Sequence, residues 1–151
     1  MGISEDIKQK KFKSELNKAI VNIIYTNGWL QQKQAKIFKP YSLTIPQFNV
    51  LRILRGQFPK ASTINLLIER MLDKSSNASR IVDKLESKGL VERKQCPSDR
   101  RAVDVFISQE GLDLLNKIDD GMEQWESQIQ NMTDDEYIQL NQLLDKLRSS
   151  L

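Results

Sequence analysis

At 151 residues, with 39% hydrophobic and 28% charged side chains, the chain is long enough to bury an adequate core and reads as a soluble globular protein. It has no histidine and one cysteine, Cys96, which excludes Ser-His-Asp and Cys-His catalysis, His-ligated metals, an intrachain disulfide and a zinc–cysteine cluster. The net charge of +3 hides an asymmetry, since residues 1–101 carry 20 basic and 9 acidic side chains and residues 102–151 carry 3 and 11. A positive body before a negative tail points to an anionic partner, nucleic acid or a membrane surface; the alternative is an unevenly charged solvated surface. No apolar run nears the roughly 18 residues of a bilayer span. Residues 1–6 lack the layout of a signal peptide, and Asp6 stands where a myristoylation pattern has Ser or Thr. A cytoplasmic location with no membrane partner is expected.

Residues 4–39 contain no proline, and Phe12, Leu16, Ala19, Ile20, Ile23 and Ile24 recur at helical spacing. One long helix is expected, with Asn27-Gly28 the place for a bend or break and Pro40 its end. Thr44-Ile45-Pro46-Gln47 opens a second helix: Thr as N-cap with Gln three residues on makes a capping box, and Pro46 suits the first turn. Phe48, Leu51 and the pair Ile53-Leu54 then face inward, until Gly56 and Pro59 close the element. Asn65 is the expected cap of a short third helix carrying Leu66, Leu67, Ile68 and Met71. Asp73 is the expected cap of a fourth, from Lys74 to Lys88, stopped by Gly89.

Residues 90–94 and 102–107 alternate faces as strands, and the polar, proline-containing stretch 95–101 joins them into a hairpin. Ser108 caps a fifth helix carrying Leu112, Leu115, Ile118, Met122, Trp125 and Ile129. Thr133 with Glu136 forms a second capping box and opens a last helix, where Tyr137, Leu140, Leu144, Leu147 and Leu151 make a heptad-like seam. The expected fold is mainly α with a small β-hairpin. It places a winged helix-turn-helix DNA-binding domain at residues 40–107, between an N-terminal dimerisation helix at 1–39 and C-terminal dimerisation helices at 108–151.

At about 100° per residue, the fourth helix buries Ala78, Ile81, Val82 and Leu85 and turns Ser76, Ser79, Arg80 and Asp83 outward, flanked by Ser75 and Asn77. Short polar side chains with one guanidinium fit a major groove about 12 Å wide. Arg80 suits guanine and Asn77 adenine, while Ser75, Ser76 and Ser79 reach phosphates or base edges. Taken alone, this face also reads as an ordinary solvated helix surface. The hairpin tip weighs against that reading. Asp99-Arg100-Arg101 sets two permanent cations beside a carboxylate, and a minor groove about 6 Å wide admits an arginine that Asp99 holds outward. The competing reading of the tip is a surface ion-pair cluster worth under ~1 kcal/mol. Arg93 and Lys94 extend the basic edge toward the phosphates.

The run Ser79-Arg80-Ile81-Val82-Asp83-Lys84-Leu85-Glu86-Ser87-Lys88-Gly89-Leu90-Val91-Glu92-Arg93, followed by Cys96-Pro97-Ser98-Asp99-Arg100-Arg101-Ala102-Val103, resembles the MarR family of transcriptional regulators. Leu43-Thr44-Ile45-Pro46-Gln47-Phe48-Asn49-Val50-Leu51 is similar to that family's second helix, and the likeness covers roughly residues 40–115. It implies a homodimer on double-stranded DNA, usually a repressor on a pseudopalindromic operator, with the recognition helix in the major groove and the wing's Asp-x-Arg in the adjacent minor groove. On that likeness Asp99 orients, Arg101 inserts, Arg100 assists or meets a phosphate, and Arg93 supports the DNA contacts from the wing base.

Pairing is expected along Phe12-Leu16-Ala19-Ile23 and Leu140-Leu144-Leu147-Leu151, unless those stripes pack on each other within one chain. The resemblance also implies a small aromatic or lipophilic effector in a cleft between the pairing helices and the DNA-binding lobe. Tyr25, Trp29, Phe38, Phe48 and Trp125 are candidates to line it, or else belong to the core. The family's peroxide-sensing branch carries its cysteine in the first helix, where this chain has none. Cys96 sits at the wing base, either as a redox-sensing thiol whose pKa Arg93 and Lys94 lower and whose oxidation disturbs DNA contact, or as an inert turn residue. No cofactor and no metal are expected. An enzyme is opposed by the missing histidine and the lack of a nucleophile in context. A winged-helix adaptor for a protein partner remains as an alternative, although it has no need of two arginines at the wing tip.

Overall fold

The computed structural model describes residues 2–149, with the Arg100 side chain left aside. Leu151 of the expected C-terminal seam therefore lies outside the described residues. The long N-terminal helix starts later than its apolar spacing suggests. Ile3–Asp6 forms a single turn, α1, and Ser14 caps the long helix α2, Glu15–Phe38, by accepting the Asn17 N–H at 3.1 Å. Phe12 stands outside the helix, with Lys18 Nζ 5.8 Å from its ring centroid. The ladder of α2 runs unbroken through Asn27 and Gly28, since one interior glycine costs a helix only about 1 kcal/mol. A 3-10 turn at Lys39–Tyr41, with Pro40 inside it, ends the segment.

The capping box at Thr44 forms. Its hydroxyl accepts the Gln47 N–H at 3.2 Å, while Gln47 Oε1 accepts the Thr44 N–H at 3.2 Å. The helix it opens, α3 (Ile45–Gln57), runs on past Gly56 and buries Phe48, Val50, Leu51 and Leu54. Phe38 stacks on Phe48 with ring centroids 4.3 Å apart, joining α2 to α3 in the core.

Ser62–Thr63 is a two-residue strand, β1, too short to show a period in the sequence. The Thr63 hydroxyl, not Asn65, caps α4 (Ile64–Arg70) by accepting the Leu66 N–H at 3.1 Å. α5 spans Ala78–Ser87, so it starts four residues later than the expected Lys74. β2 (Val91–Cys96) and β3 (Asp99–Ile107) form the antiparallel hairpin, and β1 adds to the other edge of β3 in the order β1-β3-β2. Leu51, Leu54, Leu67, Val82, Leu85, Val91 and Val105 are fully buried among these elements, each worth about 1.5–3 kcal/mol of apolar burial.

Ser108 then opens α6 (Gln109–Ile129): its hydroxyl accepts the Gly111 N–H at 3.0 Å and donates to the Gly89 carbonyl at 2.7 Å. Gly111 passes so close to the hairpin that a Cβ there would lie 2.4 Å from the Leu90 carbonyl oxygen and 2.7 Å from Ile107 Cγ1. The chain divides into two compact units at Ile118/Asp119. The second holds the rest of α6 and α7 (Asp134–Arg148), which begins with the expected capping box: the Thr133 N–H donates to Glu136 Oε2 at 2.8 Å and the Glu136 N–H to the Thr133 hydroxyl at 3.3 Å. Among the described residues, no helix is long and apolar enough to cross a membrane.

Candidate nucleic-acid interface

The segment between α4 and α5 is held by side chains from three directions. Asn49 Oδ1, on α3, accepts the Leu72 N–H at 3.0 Å. Lys74 Nζ donates to the Ile68 carbonyl at 3.1 Å and to the Glu69 carbonyl, satisfying acceptors that the end of α4 leaves open. Asp73 Oδ1 accepts the Ser75 hydroxyl at 2.6 Å and its N–H at 2.9 Å. The Ser75 hydroxyl and then its amide hold the Asp73 carboxyl below its ordinary value of 3.8. Asp73 thus closes a turn on its own neighbours, and the cap of α5 passes to Asn77, whose Oδ1 accepts the Arg80 N–H at 3.1 Å.

This shift of cap reassigns several expected base readers. Ser75 and Ser76 lie in the turn ahead of the helix, not on its first turns. A bidentate pair with adenine needs the amide oxygen and the amide nitrogen together, and the Asn77 oxygen already spends one of its two lone pairs on the Arg80 N–H. Ser79 and Arg80 stand exposed on the first turn of α5, beside the buried Ala78 and Val82; Ile81 is half-buried. At the other end Gly89 takes a left-handed backbone (φ 72°). The Leu90 N–H then bonds the Leu85 carbonyl at 3.0 Å and the Gly89 N–H the Glu86 carbonyl at 2.9 Å, the paired bonds of a Schellman stop. Lys88 Nζ donates to the Ser42 carbonyl and to Gln47 Oε1 at 3.3 Å, tying the end of α5 to the start of α3. Asn49, Lys74 and Lys88 have no motif of their own in the sequence, because their partners lie on other helices or in the turn.

The wing is tighter than a loop over 95–101. Its strands extend until Cys96 pairs with Asp99 across Pro97-Ser98, with a bulge between Gln95 and Cys96. Asp99 Oδ1 accepts the backbone N–H of Arg101 at 2.9 Å, so this carboxylate oxygen shapes the tip. Arg101 is exposed on β3, and the Arg100 side chain lies outside the described residues. Lys94 stays exposed, 3.9 Å from Glu92 Oε2 and 5.2 Å from the centroid of the Phe106 ring. Cys96 Sγ lies 3.2 Å from the Ser98 hydroxyl; that contact, with the Ser98 and Asp99 N–H groups, holds the thiol below its usual value. Arg93 and Lys94 are not the cause.

Arg93 turns away from the expected phosphates. Its Nη2 donates to Asp83 Oδ1 and to the Ser79 carbonyl at 3.2 Å, and its Nε lies 3.6 Å from Glu86 Oε2, so the whole head group lies along α5.

A cavity of about 540 Å³ opens between α2, α3 and the α4–α5 turn, lined by side chains that include Asn27, Gln31, Gln34, Pro46, Asn49 and Leu72. None of the five expected aromatics lines it. Phe38 and Phe48 are spent on each other in the core, Tyr25 and Trp29 are exposed along α2, and Trp125 belongs to the second unit. Amides on a helix surface are common in any sequence, which is why this lining carried no signal.

Comparison with known proteins adds three findings. Residues 43–103 match the model of the MarR family. The HTH-type transcriptional regulator MgrA of Staphylococcus aureus is 28% identical over 127 residues, which cover 84% of this chain and 79% of MgrA. Two solved structures share the fold. A MarR transcription factor from Planctomyces limnophilus superposes with a TM-score of 0.68 at 28% identity, over 89% of this chain and 98% of its own. Bordetella bronchiseptica BpsR, whose DNA binding is regulated by 6-hydroxynicotinic acid, gives a TM-score of 0.73 at 22% identity, over 92% and 97%.

Proposed function

The chain belongs to the MarR family, and we propose that it acts as a homodimer that reads a pseudopalindromic operator and represses transcription until a small effector releases it. As a member of that family it is a DNA-binding transcription regulator and not an enzyme. One observation carries the finer reading: α5 and the wing expose Arg80 and Arg101 from a single frame in which both ends of α5 are tied down. Arg80 donates bidentately to guanine in the major groove, and Arg101 enters the flanking minor groove, where the potential is most negative. Ser75, Ser76, Ser79 and the Asn77 amide meet phosphates or base edges. Asp99 fixes the tip, and Arg100 takes a phosphate.

Dimerisation is supported by apolar side chains left in the open. Leu16, Ile20, Ile23 and Ile24 are exposed along α2, as are Ile138, Leu140 and Leu143 along α7. Stripes of that kind are covered by a second copy, and a two-fold pair places the recognition helices one turn apart, about 34–36 Å. Residues 1–39 and 108–151 are then the pairing elements, and 40–107 the reading domain. Pairing doubles the roughly 600–1,000 Å² that one such module buries on DNA.

The effector is a small aromatic or lipophilic molecule, by analogy with the hydroxynicotinic acid of BpsR. Its seat is the cavity beside α2, whose wall includes Asn49 and Leu72, joined by the Leu72 N–H that Asn49 accepts. A molecule pressing on that wall shifts the turn from which α5 starts. The cytoplasm, where the DNA is, is the compartment.

The test is selection from a random duplex pool by the full chain, with the bound species sized. A two-fold-symmetric consensus bound by two copies is expected. No enrichment, or a single copy on an asymmetric site, would overturn the reading.

A further inference from the structure

α5 carries two carboxylates, Asp83 and Glu86, on a helix that must approach a polyanion. Both face one guanidinium. Strand periodicity puts Arg93 on the same side of β2 as the buried Val91, and β2 packs on α5. From there Arg93 reaches the Ser79 carbonyl, Asp83 Oδ1 and Glu86 Oε2. Those three positions are spaced i, i+4 and i+7, so one head group spans about 10 Å of a single helix flank.

We propose that Arg93 is a positioning residue: it locks the rotation of α5 to the wing and keeps Asp83 and Glu86 from repelling the DNA phosphates. The proposal rests on the reading that α5 enters the groove. The buried stripe of Ala78, Val82 and Leu85 holds one face of the helix by non-directional packing. A planar guanidinium with donors at fixed angles is directional, and it fixes the neighbouring flank. Arg93 sits opposite Val105 in the same hairpin whose far end bears Arg101. The lock therefore sets the spacing between the side chain that reads the major groove and the one that enters the minor groove. Arg93 is 30% exposed against 61% for Asp83 and 44% for Glu86, so the cation is the inner partner and the carboxylates the outer ones. Without it, each protomer brings two uncompensated negative charges to the phosphates.

A phosphate contact by Arg93 makes different predictions. Arg93→Ala would then lower the slope of log K against log salt by about 0.9 per protomer, and Arg93→Lys would keep affinity and selectivity alike. Positioning requires that Arg93→Lys, which keeps the charge and loses the fork, be defective. The double variant Asp83→Asn/Glu86→Gln is the sharper probe, because it makes the helix more positive. Charge alone predicts tighter binding to every duplex, whereas the lock predicts lost selectivity.

The experiment measures affinity for a duplex selected from a random pool and for a scrambled duplex of equal composition, well below each variant's melting midpoint. In both Arg93→Lys and the double variant, the ratio of the two affinities should fall at least about fivefold, the least that one misplaced base contact costs. A smaller fall in either overturns the proposal. A purely structural role would move the melting midpoint and leave the ratio alone. Arg80→Ala on the same duplexes separates the two levels of inference: if it leaves the ratio intact, the groove reading itself has failed and the lock with it. If it lowers the ratio while the Arg93→Lys or double variant does not, the lock alone has failed.

Discussion

Replacing Asn77 with alanine removes the oxygen that accepts the Arg80 N–H at 3.1 Å, at the head of a ten-residue helix. Loss of such a cap costs about 1 kcal/mol, within a range of roughly 0.5–2. In a chain of this length that lowers the melting midpoint by about 2–4 °C. Ser79 and Arg80 lie in the turn that frays, so affinity for a selected duplex should fall about fivefold with the same free energy. Asn77→Ser keeps a capping oxygen and should restore both quantities. A serine cannot pair bidentately with adenine, so the same variant separates the cap from a base reader. Circular-dichroism melts and fluorescence anisotropy, on the selected duplex and on copies with each adenine replaced in turn, give the two readouts. If Asn77→Ala melts like the wild type the capping argument is refuted, and if Asn77→Ser melts like the wild type yet loses discrimination at one adenine, the side chain reads DNA besides capping.

Arg101→Ala should reduce the slope of log K against log salt by about 0.9 per protomer in titrations between about 50 and 200 mM salt; an unchanged slope would remove the wing from the interface. Gly111→Ala drives a Cβ to 2.4 Å from the Leu90 carbonyl oxygen and should cost about 1–3 kcal/mol in denaturant unfolding, whereas a neutral effect would mean that α6 moves freely against the hairpin. Alkylation of Cys96 by iodoacetamide follows the thiolate, so its rate should reach half its plateau below the ordinary thiol value of 9.0. Ser98→Ala, which removes the hydroxyl lying 3.2 Å from the sulfur, should move that midpoint up, and a midpoint that does not move contradicts the assigned cause.

What the sequence reveals divides by the range of the interaction. Thr44 with Gln47 and Thr133 with Glu136 are legible because both bonds of a capping box close within four residues, and Gly89 is legible for the same reason. The start of α5 is not. Asp73, Ser75, Ser76 and Asn77 are all competent acceptors, and the choice falls to Asn77 because Asp73 is spent on Ser75 while Asn49 and Lys74 pin the chain ahead of it. Thr63 displaces Asn65 as a cap through a pairing far along the chain, Ser62 with Val105, which fixes Thr63 as extended backbone.

The candidate site follows the same rule. The apolar stripe of α5 and the two-arginine wing stand out from spacing and charge alone. The direction of Arg93 does not, because carboxylates seven and ten residues earlier draw it onto α5. Phe38 and Phe48 meet only because α2 packs on α3, a contact that their separate places in the sequence do not announce.

Footprinting of the full chain on a selected duplex, with one probe for each groove, tests the two-groove grip most directly. Methylation of guanine N7 should block binding at one position in each half-site, the two centred about 10 base pairs apart. Hydroxyl-radical protection should appear in the minor grooves on either side, with two-fold symmetry throughout. Methylation without effect, or protection confined to one asymmetric patch, would contradict the account.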